Sequence, residues 1–239
     1  MIRGIDIAKW QGPNVDFERV AVSGQTYCFI RATYGLTGPN RLDPIFADNW
    51  RRSQSHIVRS AYHFLRPMQP GKDQARFFLD TLASAGGMLE GDLAPVCDIE
   101  GPDGAGPSTI LKCIEDWMQV VETETKRRPI VYTGPSFWDG YGLGDAFANY
   151  PLWVADYRQP DSPYKVPNGW SDWTFFQYTD QGRVPGIPVN VDLNWFNGSL
   201  DDLAPLRTGT ETTGLDYGRF PKMIRRVKRA FKTMPRVKS

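Results

Sequence analysis

Residues 93–100 read Leu93-Ala94-Pro95-Val96-Cys97-Asp98-Ile99-Glu100. An apolar lead-in that finishes in two acids is the pattern of a buried strand whose last residues reach a polar surface. Residues i and i+2 of a strand point to one face, about 6.6–6.8 Å apart along the chain. Asp98 and Glu100 therefore share a face. Two carboxyls so placed can have their pKa values pushed apart, so that one keeps a proton and acts as an acid while its neighbour stays charged. Cleavage of a glycosidic bond needs such a pair. Asp-x-Glu alone also fits a strand ending in two solvated acids before the Gly101-Pro102 turn, and the rest of the chain decides between the two.

Working outward, short runs rich in Val, Ile, Phe, Tyr and Trp predict strands at 3–7, 26–33, 57–64, 94–100, 129–133, 151–155, 173–178 and 189–194. Amphipathic stretches predict helices at 16–22, 44–55, 72–85 and 109–126, the last capped by Ser108. Strand-helix alternation argues for a parallel sheet with helices outside it. Eight strands in this length predict an α/β fold, an irregular TIM-like barrel with helices mainly in its first part. The segment 157–172 reads as a long loop. Functional groups of such barrels gather at the C-terminal strand ends, where this chain has Asp6, Tyr62, Asp98, Glu100, Asp156, Gln177 and Asp192.

The chain has 239 residues, enough for one large domain. Its 8 Trp and 10 Tyr exceed what a core requires and suit a sugar-lined cleft as well as plain packing. No run approaches a membrane span, and Met1-Ile2-Arg3 passes directly into a strand pattern, so no signal peptide is expected. Cys28, Cys97 and Cys113 read as buried thiols of a reducing compartment. With two histidines, neither a metal site nor a cofactor is expected.

Charge divides the chain. Residues 207–239 carry 10 Lys and Arg against 2 Asp and Glu, while the remainder is net acidic. This predicts a body at 1–206, a flexible linker at 207–214 and a basic amphipathic tail at 215–239. Phe220, Met223, Ile224, Val227 and Phe231 fall on one helical face, with Lys222, Arg225, Arg226, Lys228, Arg229 and Lys232 opposite. A C-terminal basic helix of this kind fits an anionic membrane or lipopolysaccharide surface. A helix docked on the acidic body and a disordered tail are the alternatives.

Seven segments, in order, resemble glycoside hydrolase family 25, the Chalaropsis-type lysozymes or N-acetylmuramidases. They are 4–12 (Gly-Ile-Asp-Ile-Ala-Lys-Trp-Gln-Gly), 29–35, Ala61-Tyr62-His63-Phe64, 95–100, 152–157, Phe176-Gln177-Tyr178 and Val191-Asp192-Leu193-Asn194. The likeness spans roughly 3–205. Ala8 and Tyr34 depart from the family's usual Ser and Glu. Neither departure removes an acid expected in the catalytic set.

The resemblance implies hydrolysis of the β-1,4 bond between N-acetylmuramic acid and N-acetylglucosamine in bacterial peptidoglycan. Glu100 would be the general acid and base, and Asp98 would hold the acetamido group that attacks the anomeric carbon. Asp6 and Asp192 would complete an acidic floor, and mutual repulsion would keep Glu100 protonated. Tyr62, Tyr157 and Gln177 are expected to contact sugar. Trp153 is expected to fill the core with its N–H bonded, His63 to be a satisfied buried histidine, and Asp156 and Asp180 to be solvated loop acids. A muramidase without a leader fits a phage endolysin, monomeric and held in the host cytoplasm until release. Two other classes stay open: a silent glycan-binding barrel, and a membrane or nucleic-acid binder working through the tail. The acidic body makes nucleic acid a poor partner.

Overall fold

The computed structural model describes residues 1–207. The tail, with the basic face named above, lies outside them, as does all of the linker except Arg207, whose Nε donates to Gly91 O at 2.9 Å.

Eight strands close into one barrel in chain order: β1 (Ile2–Ile7), β2 (Tyr27–Tyr34), β3 (Val58–Phe64), β4 (Val96–Asp98), β5 (Ile130–Thr133), β6 (Leu152–Ala155), β7 (Phe175–Gly182) and β8 (Val191–Phe196). Strands β1 to β7 run parallel, whereas β8 is antiparallel to both β7 and β1. The expectation of a parallel sheet fails at this one strand. Residues 183–190 are too few for the crossover of about a dozen residues that a parallel pair needs, so the chain turns back as a hairpin.

Helices α1 (Phe17–Val22), α2 (Phe46–Ser53), α3 (Gly71–Ser84) and α4 (Pro107–Thr125) follow the first strands as expected. Among the described residues, the α-helices after β5 are the short α5 (Pro135–Gly140) and α6 (Leu200–Leu203). Ser108 does not cap α4: Gly106 is the N-cap and Pro107 opens the first turn, where its missing N–H costs nothing.

Strand alternation divides the side chains into two layers. Ile5, Ile7, Cys28, Ile30, Cys97, Ile99, Val131, Val154 and Phe176 pack outward against the helices. Tyr27, Phe29, Tyr62, Val96, Tyr132, Trp153, Phe175 and Phe196 pack inward. Phe29 stacks on Trp153 at 4.1 Å between centroids and meets Phe175 edge-on at 5.1 Å, so aromatic rings plug the barrel. Gly4 makes room for that plug: a Cβ there would lie 2.3 Å from the Tyr27 ring. The three cysteines are free and buried.

His63 sits on the outward face and is fully buried. Its Nδ1 is 2.7 Å from Thr33 Oγ1 and its Nε2 3.1 Å from Gln74 Oε1, which ties β3 to β2 and α3. Burial lowers its pKa to about 4, so it is a neutral structural histidine, as expected.

Candidate active site

Above the aromatic plug, the inward positions at the C-terminal strand ends turn polar. Asp6 is the last inward residue of β1, Asp98 ends β4 and Gln177 lies in β7. Asp192 stands at the start of β8, and reversal of that strand brings its first residues to the same mouth. The sheet register places Asp192 directly opposite Asp6. The strand expected at 94–100 is shorter, so Glu100 lies just beyond β4. Alternation nevertheless continues through buried Ile99, which packs among the helices. Glu100 therefore keeps the face of Asp98, with its side chain exposed at the mouth.

These four carboxyls shift one another. Asp6 and Asp98 are buried, at 4% and 5% exposure. Burial lifts the pKa of Asp98 well above the usual range, and the charges of Glu100 and Asp6 add to that, against a smaller opposing pull from Arg31. Burial does the same to Asp6, followed by the charge of Asp192 and a hydrogen bond between the two carboxyls. Glu100 is raised by desolvation and then by Asp192. Asp192 is raised by desolvation, partly offset by its hydrogen bond with Asp6. A cluster of acids that resist ionisation, one of them open to solvent, is suited to giving a proton to a bound molecule.

Polar side chains hold Asp6 from below. Its Oδ2 accepts from Gln177 Nε2 at 2.9 Å and from Asn194 Nδ2 at 2.8 Å. The carbonyl oxygen of Gln177 accepts two phenol hydrogens, from Tyr132 at 2.8 Å and Tyr157 at 2.7 Å. Trp153 Nε1 donates to Asn194 Oδ1 at 2.8 Å, the polar bond expected of that core residue. By contrast, Asp98 Oδ1 is buried without a hydrogen-bond partner. An acceptor buried without a partner costs stability, and a native fold that keeps one calls for a functional reason.

The expected sugar contacts divide. Gln177 is buried and Tyr157 is half exposed over it. Tyr62 is buried, with its ring edge-on to Trp153 and its hydroxyl raised in pKa by burial and then by the charge of Asp6. Asp156 is not a solvated loop acid. It is buried at 6% exposure, accepts from Arg158 at 2.7 and 2.8 Å and takes the Tyr164 N–H at 2.9 Å. Burial opposes its charge, but these bonds outweigh burial and hold its pKa below the usual value. It anchors the loop after β6. Asp180 is exposed, but on β7 rather than in a loop.

Three residues escaped the sequence reading: Asn194, Tyr132 and Arg31. Asn194 is i+2 from Asp192, so strand parity alone could have placed it inward. Tyr132 in Ile130–Thr133 carries no signal that separates it from a core filler. Arg31 was visible as a charge inside an apolar strand. Its Nε and Nη2 reach Asp43 Oδ2 at 3.1 and 3.0 Å, so its charge is fixed near Asp98. Among the described residues, no group of three or more His, Cys, Asp and Glu side chains is arranged to hold a metal ion.

Residues 5–187 match the model of Glycosyl hydrolases family 25. The chain is 37% identical to Lysozyme M1 of Streptomyces globisporus over 223 residues, covering 87% of this chain and 72% of that protein. It is 29% identical to the N,O-diacetylmuramidase of Chalaropsis sp over 224 residues, covering 87% of this chain and all of that protein, 100%. The crystal structure of the bacterial lysozyme from Streptomyces coelicolor superposes with a TM-score of 0.78 at 34% identity, covering 87% of this chain and 98% of that one. The chain belongs to glycosyl hydrolase family 25 and is a glycoside hydrolase of the lysozyme type.

Proposed function

We propose that this protein cuts the β-1,4 bond between N-acetylmuramic acid and N-acetylglucosamine in peptidoglycan, with Glu100 as general acid and then general base. The observation that carries this reading is the pairing of a solvent-facing Glu100 with a buried Asp98 on one face of the barrel mouth. Desolvation first, and the charge of Asp192 second, raise the pKa of Glu100 above the ordinary carboxylate value, which favours its protonated form. In the first step that proton passes to the glycosidic oxygen as the bond to the anomeric carbon breaks. The acetamido oxygen of the muramic residue closes on that carbon. Asp98 steadies the acetamido N–H through its unpartnered oxygen. Glu100 then takes a proton from water, which opens the cyclic intermediate with net retention. The acetamido group is an internal nucleophile at high effective molarity, so no enzyme carboxylate has to bond to carbon.

The names of the relatives support this choice of bond, since two of them are called lysozyme and diacetylmuramidase. A digest of purified peptidoglycan tests it through the new reducing ends. Reducing muramic acid, released first as the β-anomer, is the expected product. Reducing glucosamine, or an α-anomer first, would contradict it.

The charge pattern of 215–239 supports a second proposal, that the tail delivers the hydrolase to anionic membrane or lipopolysaccharide in a phage-type lytic role. Deletion of 215–239 should abolish liposome binding while leaving digestion of isolated peptidoglycan intact. Unchanged liposome binding would remove the proposal.

A further inference from the structure

The indole N–H of Trp153 can only donate, so the Asn194 atom facing it is the carbonyl oxygen. The Asn194 amino group is thereby turned to Asp6. Gln177 is fixed in the same sense, because its oxygen receives two phenol hydrogens and its amino group is left for Asp6. Both amides thus donate to one atom, Asp6 Oδ2. An oxygen that accepts two N–H bonds in a dry site has no room for a proton of its own. Asp192 stands directly across the strand pair from Asp6, and the two carboxyls lie close enough for each to shift the other's pKa. Two ionised carboxyls this close repel, and one proton held between them relieves that repulsion.

We propose that Gln177 and Asn194 are positioning residues: aimed by Tyr132, Tyr157 and Trp153, they occupy one oxygen of Asp6 and confine a single shared proton to the edge between Asp6 and Asp192. The surroundings favour that proton. The ionisable groups on the inward side near Asp6 are Tyr27 of β2, Tyr62 of β3, Asp98 of β4 and Tyr132 of β5, with Tyr157 beyond and Cys28 behind it on the outward face. Asp192 faces Asp180 and Glu100. The charges of Asp98, Asp180 and Glu100 disfavour a second negative charge on the pair, while Arg31, held by Asp43, opposes them from beside Asp98 and the Gln177 and Asn194 donors favour an ionised Asp6. The pair then carries one net charge at neutral pH. The half-buried Asp192, beside Glu100, is where that charge meets the catalytic acid. This deepens the catalytic reading and rests on it for the use made of the charge. The proton itself is measurable without turnover.

The test is carboxyl-detected NMR of protein labelled with 13Cγ-aspartate, titrated from acid to alkaline pH. In wild type the Asp6 and Asp192 signals should move together in two well-separated steps, the upper one above the ordinary carboxylate range. In Asp192→Asn, Asp6 should titrate in one step. In Asn194→Leu the upper step should move to higher pH, because one donor that stabilises ionised Asp6 is gone. Gln177→Met should move it the same way and serves if Asn194→Leu does not fold. Independent titration of the two signals at ordinary carboxylate pH would overturn the proposal. So would an upper step that stays in place in a folded Asn194→Leu or Gln177→Met protein. Failure of the Glu100 assignment would appear separately, as a Glu100→Gln protein that still cuts glycan.

Discussion

The indole of Trp153 holds Asn194 by a 2.8 Å hydrogen bond, and through Asn194 the aromatic plug is joined to the carboxylate of Asp6. Trp153→Phe keeps a ring in the stack but leaves Asn194 Oδ1 without its donor. Loss of stability of about 1–3 kcal/mol is expected, measured by urea unfolding, together with a fall in kcat as Asn194 gains freedom to flip. A variant with unchanged stability and unchanged kcat would show that the link does not matter.

The pH profile should respond to Asp192. A general acid works while protonated, so activity falls as pH rises through its pKa. Desolvation first, and the charge of Asp192 second, raise that pKa for Glu100. Asp192→Asn removes the second cause, so the alkaline limb of kcat/KM should move to lower pH. A limb that stays in place or moves up would contradict the coupling.

The site should cost stability. Asp98 has a folded pKa above its unfolded value. Its protonated form therefore stabilises the fold below the unfolded pKa, and that contribution is lost as pH rises through the folded pKa. Asp98→Asn should raise stability at neutral pH by on the order of 1 kcal/mol, and the gain should vanish near pH ~4, the unfolded carboxylate range. The same variant should lose roughly a hundred- to a thousand-fold in kcat. Thermal unfolding at both pH values checks the first part. Equal melting temperatures of wild type and variant at neutral pH would refute it.

Packing under the site gives a further prediction. Gly4→Ala puts a methyl 2.3 Å from Tyr27 ring atoms that the plug holds in place. Destabilisation of about 1–3 kcal/mol is expected from such overpacking, read from the urea midpoint. The double variant with Tyr27→Leu should recover part of it, and absence of any recovery would mean that the clash is relieved elsewhere.

Much of this site was legible because alternation is a strong constraint. Asp98 and Glu100 could be put on one face from their spacing, and the structure keeps them there although β4 stops at Asp98. The direction of β8 was within reach, since 183–190 is visibly short, but strand-helix alternation earlier in the chain pulled the reading toward an all-parallel sheet. Asp156 was misread because its partner Arg158 is a loop residue two positions on. Nothing local distinguishes a loop acid that folds back on its neighbour from one that faces water. The start of α4 illustrates a competition of signals: Ser108 is a good cap by type, yet Pro107 is suited to the first turn and moved the cap to Gly106. Tyr132 and its bond to Gln177 depend on contacts between strands far apart in sequence, which no single-strand pattern encodes.

In the proposed mechanism Glu100 supplies the proton that breaks the glycosidic bond. The most direct measurement compares wild type with Glu100→Gln on peptidoglycan and on a synthetic glycoside whose leaving group needs no protonation. A loss of roughly a hundred- to ten-thousand-fold is expected on peptidoglycan, and a much smaller loss in the first step on the activated glycoside. Equal losses on both substrates, or full activity of Glu100→Gln on peptidoglycan, would contradict it.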